Sequence, residues 1–259
     1  MQSSLIKKEE RSKQWVWIVV IAGILIWSWR GSEMSLVHLF GGTKNIFIYL
    51  KDYFPPDFSR VGLYLKESIV CLHIAIWGTI IAAILSLPLG LLAARNIVGN
   101  LIIHQLVRRF LDLLRAINEF IFALIFVCAV GLGPFAGLLA IAVHTTGVLG
   151  KLISEVIESI DPGQVEAITS TGANKLQIIA FSVLPQIMPL WVSNVLYRFE
   201  VSVRSSTIIG LCGAGGIGFL LWEAMRSFKS KEVCAMLIII VVMVGIIDLV
   251  CSKIRKKMI

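Results

Sequence analysis

Four groups of residues in this chain can handle charge. The stretch DPGQVEAITSTGAN, 161–174, sets Asp161 and Glu166 among small and hydroxyl side chains, between two apolar runs. His144, followed by Thr145 and Thr146, stands inside one apolar run. Arg198, Glu200 and Arg204 stand near the end of another, and Arg115, Asn118 and Glu119 near the start of a third. An ionisable group inside an apolar span is expensive, so each is a functional candidate by default.

Counted inward from Pro134, His144 lies ~15 Å down at ~1.5 Å rise per residue, about half of a ~30 Å hydrocarbon core. It is a candidate for the lining of a path, with an interhelical hydrogen bond as the packing alternative. Glu200 and Arg204 are spaced i,i+4 with the acid first, the favourable order, so they are expected to pair near the outer end of their span. That leaves Arg198 to steer an anion. Arg115 and Glu119 have the same spacing, with Asn118 between them, and read as a packing network with a gate as the alternative.

No nucleophile arrangement can be inferred from spacing, so no catalytic residue is assigned. GAGGIG, 213–218, matches G-x-G-x-x-G, but STIIGL precedes it, FLLWEAM follows it, and position 238 is Ile rather than an acid. A dinucleotide site needs a βαβ context and that acid. Gly210, Gly213, Gly215, Gly216 and Gly218 are expected instead to form a bent or re-entrant segment near the outer face. Irregular backbone at membrane depth is tolerated only when protein or water surrounds it. Nothing matches the G-x-x-x-x-G-K-[ST] phosphate loop, so uphill movement would need a partner or an ion gradient. His38, His73, His104 and His144 lack metal-ligand spacing, so no metal is expected. The five cysteines form no CxxC pair and read as small apolar residues.

The elements that hold these groups are apolar. The 259 residues are 57% hydrophobic and 15% charged, against about 25% charged in soluble domains. Six spans can be drawn: 15–29, 68–94, 113–131, 134–150, 176–202 and 233–250, the fifth broken by Pro185 and Pro189. The first, bounded by tryptophans, is short of the roughly 20 residues a span needs. The net charge of +8 is scattered between spans and forms no basic face, so nucleic acid is not an expected partner. Basic clusters at 7–13, 95–115 and 253–257 fall on one side when the span count is even. That side should be the cytoplasm, with both termini on it. The chain divides into 1–66 (basic segment, first span and external connection), a core of 67–250, and a basic tail, 251–259.

Asp161 before Pro162 marks a helix start, with Gln164 completing a looser capping box and Gly172 ending the helix. The product is a capped cytoplasmic stub, 161–172. Glu166-Ala167, Gly172 and Leu184-Pro185 resemble the EAA-loop signature of bacterial ABC-importer permeases. Ile168 stands where the family has a second Ala, and Ser182 where it has Ile. RAINEFIFALIFVCAVGLGPFAGLLAIAVHTTGVLGKLISEVIESIDPG, 115–163, YRFEVSVRSSTIIGLCGAGGIG, 197–218, and FPPDF, 54–58, are similar to phosphonate-type permeases of that class. The resemblance implies an all-α, polytopic permease of the bacterial inner membrane. Its stub, with Asp161, Glu166, Ala167, Gly172 and Pro185, would be the coupling helix. It would work as a homodimer with two ATPase subunits that hold ATP and Mg, an external substrate-binding protein and surrounding lipid. Its cargo would be a phosphonate, phosphite, hypophosphite or phosphate ester. A methionine or amino-acid importer is the nearest alternative. A gradient-driven carrier would need an internal inverted repeat, and none is found. A lipid-phosphate enzyme would need clustered carboxylates or histidines at one depth, and none is evident.

Overall fold

The computed structural model describes residues 2–32, 41, 46–47 and 50–258, with side chains from Trp17 to Lys256. Among them every regular element is helical. Two compact units separate, Met1–Asp52 and Tyr53–Ile259. In the first, α1 (Gln2–Gly31) is a single helix whose apolar part, Trp17–Gly31, is shorter than the spans of the second unit.

The second unit holds the remaining helices: α2 (Val61–Ala93), α3 (Leu101–Ala116), α4 (Glu119–Val130), α5 (Pro134–Glu158), α6 (Pro162–Ser170), α7 (Lys175–Ile209), α8 (Ile217–Arg226) and α9 (Ser230–Met258). Four helices are long and apolar enough to cross a membrane, or five if the bent α3–α4 pair counts as one. These five correspond to five of the six expected spans, and the first, 15–29, falls on the shorter apolar helix Trp17–Gly31. The expected span 113–131 is not one helix: α3 and α4 meet at 88°. Asn118 explains the break, because its side chain accepts from the Phe120 N–H and starts α4 afresh. Pro185 and Pro189 do not break the fifth span, which runs unbroken from Lys175 to Cys212. A π-helical turn, Ile179–Val183, lies within it just before Pro185, where the proline ring would otherwise crowd the preceding turn.

Glycines bring α2 and α5 together. A Cβ at Gly78 would lie 2.8 Å from Ile141 Cγ2, and one at Gly90 2.9 Å from Ile153 Cγ2. Both offsets run the same way, so the helices are parallel and close, as small residues allow in membranes. Gly78 is ~25 Å along α2 from Val61, and it faces Ile141. Pro134 therefore starts ~15 Å inside the Val61 end rather than at a face, and His144 lies ~30 Å from that end. Three apolar clusters stack along the unit. Tyr64, Cys71, Ile217 and Met236 lie toward the Val61 end; Ile74, Phe122, Ile141 and Ile209 in the middle; Ala94, Ile153, Ile157 and Ile187 toward the Ala93 end. At the Val61 end the Asp57 N–H donates to the Lys231 carbonyl. The Asp57 carboxylate accepts from the Ser59 N–H, which holds it below the usual carboxylate range.

Candidate functional site

The polar residues fall into two places, one at the Ala93 end and one deep in the bundle. At the Ala93 end, Glu158 closes α5. It accepts from the Arg95 backbone N–H at 3.0 Å and pairs with Arg108 at 3.0 Å. The Asn96 amide donates to the Ile157 carbonyl at 2.6 Å. The chain then turns into α6, which buries no residue. Asp161 caps it by accepting from the Gly163 N–H at 2.9 Å. Gln164 does not complete a capping box; the Asp161 N–H donates to Gln186 of α7 instead, so the cap is tied to the next long helix. The full capping box lies further on, between Asn174 and Gln177.

The hydroxyl cluster has a structural reason. Thr169, Ser170 and Thr171 donate to the carbonyls of Val165, Ala167 and Ile168 at 2.7–2.8 Å. Those carbonyls sit at the helix end, where partners run out. Gly172 follows with φ +79°, the left-handed turn a glycine reaches without strain. Glu166, Ala167, Gly172 and Pro185 are exposed. So are Leu176, at 77%, and Phe181, at 70%. The stub therefore presents a carboxylate and small residues, and the start of α7 beside it exposes two apolar side chains.

The deep site gathers around the α3–α4 elbow. His144 Nδ1 lies 2.9 Å from the Ile117 carbonyl, so that nitrogen carries the proton. Ser205 donates to the Glu119 carboxylate in a short hydrogen bond. Thr146 donates to the Ala142 carbonyl at 2.7 Å, whereas Thr145 is fully buried with no partner for its hydroxyl among the described residues.

The i,i+4 pairings expected from spacing are not made. Glu200 pairs with Arg255 of α9 at 2.9 Å, and Arg204 with Asp248 at 3.3 Å. Arg115 leans to Asp112 at 3.6 Å, and Asp112 holds the nearly buried Lys151 at 3.0 Å. Long-range partners won because α9 lies alongside α7, and a span-to-span pair screens both charges from the apolar surroundings. Asp248 lies ~27 Å along α9 from Ser230, so Arg204 is not at the outer end of α7, and the pair lies on the flank of the bundle with Arg204 58% exposed. Arg198 Nε is buried without a hydrogen-bond partner among the described residues. Asp248 was readable as a charge inside an apolar run, LIIIVVMVGIIDLV, and was the one signal in the sequence for this network.

The glycine segment interrupts the α7–α8 connection. A short 3-10 turn, Gly210–Cys212, leads into Gly213, Gly215 and Gly216, all with positive φ. A Cβ at Gly218 would collide with the Thr207 carbonyl, and one at Gly210 would lie 2.7 Å from the Gly215 carbonyl oxygen. Protein surrounds this irregular backbone, with Cys71 and Pro134 against it.

The family model described as binding-protein-dependent transport system inner membrane component matches residues 86–256. The chain belongs to that family. It is a multi-pass inner-membrane permease of the ABC-importer class, a transport subunit rather than an enzyme. PtxC of Stutzerimonas stutzeri, a phosphite transport system permease protein, is 36% identical over 92% of this chain and 86% of its own. PhnE of Mycolicibacterium smegmatis, a phosphate-import permease protein, is 39% identical over 79% of this chain and 39% of its own. PhnE2 of Escherichia coli, named for a cryptic phosphonate transport system, is 53% identical over 47% of this chain and all of its own. The permease fold is shared with a structure of the inward-facing MetNI methionine ABC transporter, at a TM-score of 0.67, 19% identity, and coverage of 77% of this chain and 97% of that one.

Proposed function

We propose that this permease carries a small phosphorus oxyanion into the cytoplasm: phosphonate, phosphite, hypophosphite, phosphate or a phosphate ester. The observation that carries the reading is the match to PtxC over nearly the whole chain. The methionine alternative is more distant: methionine permease relatives are 25–29% identical over at most 74% of this chain.

In this reading two copies of the chain enclose a central path, and two separate ATPase subunits hold ATP and Mg. An external binding protein delivers the anion. Both termini face the cytoplasm, with Arg95, Arg108 and the basic tail near Arg255. α6 is the coupling helix. Its exposure, its caps and the Asp161–Gln186 tie support this, because a force-transmitting element must be stiff, accessible and joined to a span. The family resemblance supplies the groove in the ATPase that would receive it.

The test is reconstitution. With its ATPase and binding protein, the chain should take up labelled phosphite into proteoliposomes in an ATP-dependent manner. The purified chain alone should not hydrolyse ATP. Hydrolysis by the isolated, contaminant-free chain, or uptake that follows an ion gradient without ATP, would overturn the reading.

A further inference from the structure

We propose that Arg198, Ser202 and Ser205 form an oxyanion-binding stripe on α7, and that Glu119 is the internal carboxylate that fills it between transport events. The proposal rests on the phosphorus-oxyanion reading above and names the residues that would meet the cargo.

The three residues are spaced i, i+4 and i+7, so they share one face of α7. All three can donate, and a guanidinium cannot accept. Ser202 is 1% exposed, and its hydroxyl has no partner among the described residues. Arg198 Nε is in the same condition. Buried polar atoms are rarely left so, and a group of unpartnered donors needs a reason. Ser205 already donates its hydrogen bond to the Glu119 carboxylate. One donor of the stripe is thus already held by a negative group, and that group belongs to another helix, α4.

A phosphorus oxyanion has the matching chemistry. Two oxygens can take parallel N–H groups from a guanidinium, and another can take a hydroxyl. Arg198 is only partly buried, so the stripe is open at that residue. Glu119 then competes with the cargo for Ser205 and Arg198. Competition keeps the site weak, as passage requires: binding must be good enough to enter and poor enough to leave. It also keeps a cation inside the membrane neutralised when the path is empty.

The alternative is a structural ion pair, in which Arg198 exists only to balance Glu119. The two accounts separate in the assembled transporter. ATP-driven uptake of phosphite, methylphosphonate and inorganic phosphate would be compared in wild type, Arg198→Gln, Glu119→Gln and the double variant, with assembly checked by co-purification of the ATPase. The oxyanion stripe predicts uptake at least tenfold slower in Arg198→Gln and no recovery in the double variant. A structural pair predicts recovery toward wild type once both charges are gone, and that result would overturn the proposal. Equilibrium binding of phosphite to the permease–ATPase complex, without binding protein, gives a second readout. Glu119→Gln should tighten it threefold or more, and Ser202→Ala should weaken it threefold or more. Unchanged binding in both would overturn the proposal even if Arg198→Gln fails to assemble. Failure of wild type to take up any of the three anions would instead sink the substrate reading and the stripe together.

Discussion

The stub and the deep site are built by opposite rules. In α6 the polar groups satisfy one another within a few residues: Asp161 caps the start, three hydroxyls close the end, and Gly172 turns the chain away. In the deep site the main charged pairs are made at long range, though Thr146 bonds one turn back to Ala142. Glu119 finds Ser205, Glu200 finds Arg255, Arg204 finds Asp248 and Lys151 finds Asp112, each on another helix. Water makes the difference. An exposed helix can leave its surface groups to solvent and needs only its ends completed. A charge inside an apolar bundle has no solvent, so only another part of the protein can answer it. The first region can be redesigned without disturbing the fold, and the second cannot.

The largest break in that contrast should come from Gly218→Val. The new side chain would meet the Thr207 carbonyl and the Gly210 Cα, which are backbone and cannot swing aside. The expected outcome is loss of monodisperse protein on size-exclusion chromatography. Recovery at wild-type yield would mean that the glycine break is loosely packed.

Next is Arg255→Gln, which strands Glu200 with its side chain 11% exposed. Breaking a buried pair costs about 3–5 kcal/mol; with Arg255 29% exposed, roughly 2 kcal/mol is expected. Thermal unfolding in detergent reads it, and Glu200→Gln added to Arg255→Gln should restore part of the loss. A melting temperature unchanged by the single substitution would make this pair a surface contact. Arg108→Gln should do less, within about 1 kcal/mol, because both side chains are about 30% exposed and Glu158 keeps the Arg95 N–H. A loss as large as that of Arg255→Gln would place Glu158 in the second class of site.

The same division decides what could be read in advance. The stub was legible at its start and finish, because a cap and a left-handed glycine act on their immediate neighbours. Even there Gln164 was misassigned, since Gln186, distant in sequence, took the Asp161 N–H. The apolar runs marked the long helices, but α3–α4 read as one span because the bend depends on a single Asn118 and on His144 reaching Ile117. Pro185 and Pro189 suggested a break that a π-turn absorbed. The deep pairs depart from their spacing for one reason: spacing on a helix reports which residues share a face, not what that face meets. Asp248 is a lone acid in an apolar run, which by itself calls for a partner from another helix.

The central claim is that α6 serves a partner and not the fold, and Gly172→Val with Glu166→Lys tests it most directly. Gly172 has φ +79° and open space around it. A side chain there costs ~1 kcal/mol or more in local strain and collides with nothing in this chain. Each variant would be co-purified with the ATPase subunit in detergent, with retention, substrate-stimulated hydrolysis and melting temperature of the permease measured together. The account predicts a nearly unchanged melting temperature with ATPase retention and stimulation both lost or strongly reduced. Normal retention and normal stimulation in both variants would contradict it, and the stub would then be a solvated connection between α5 and α7.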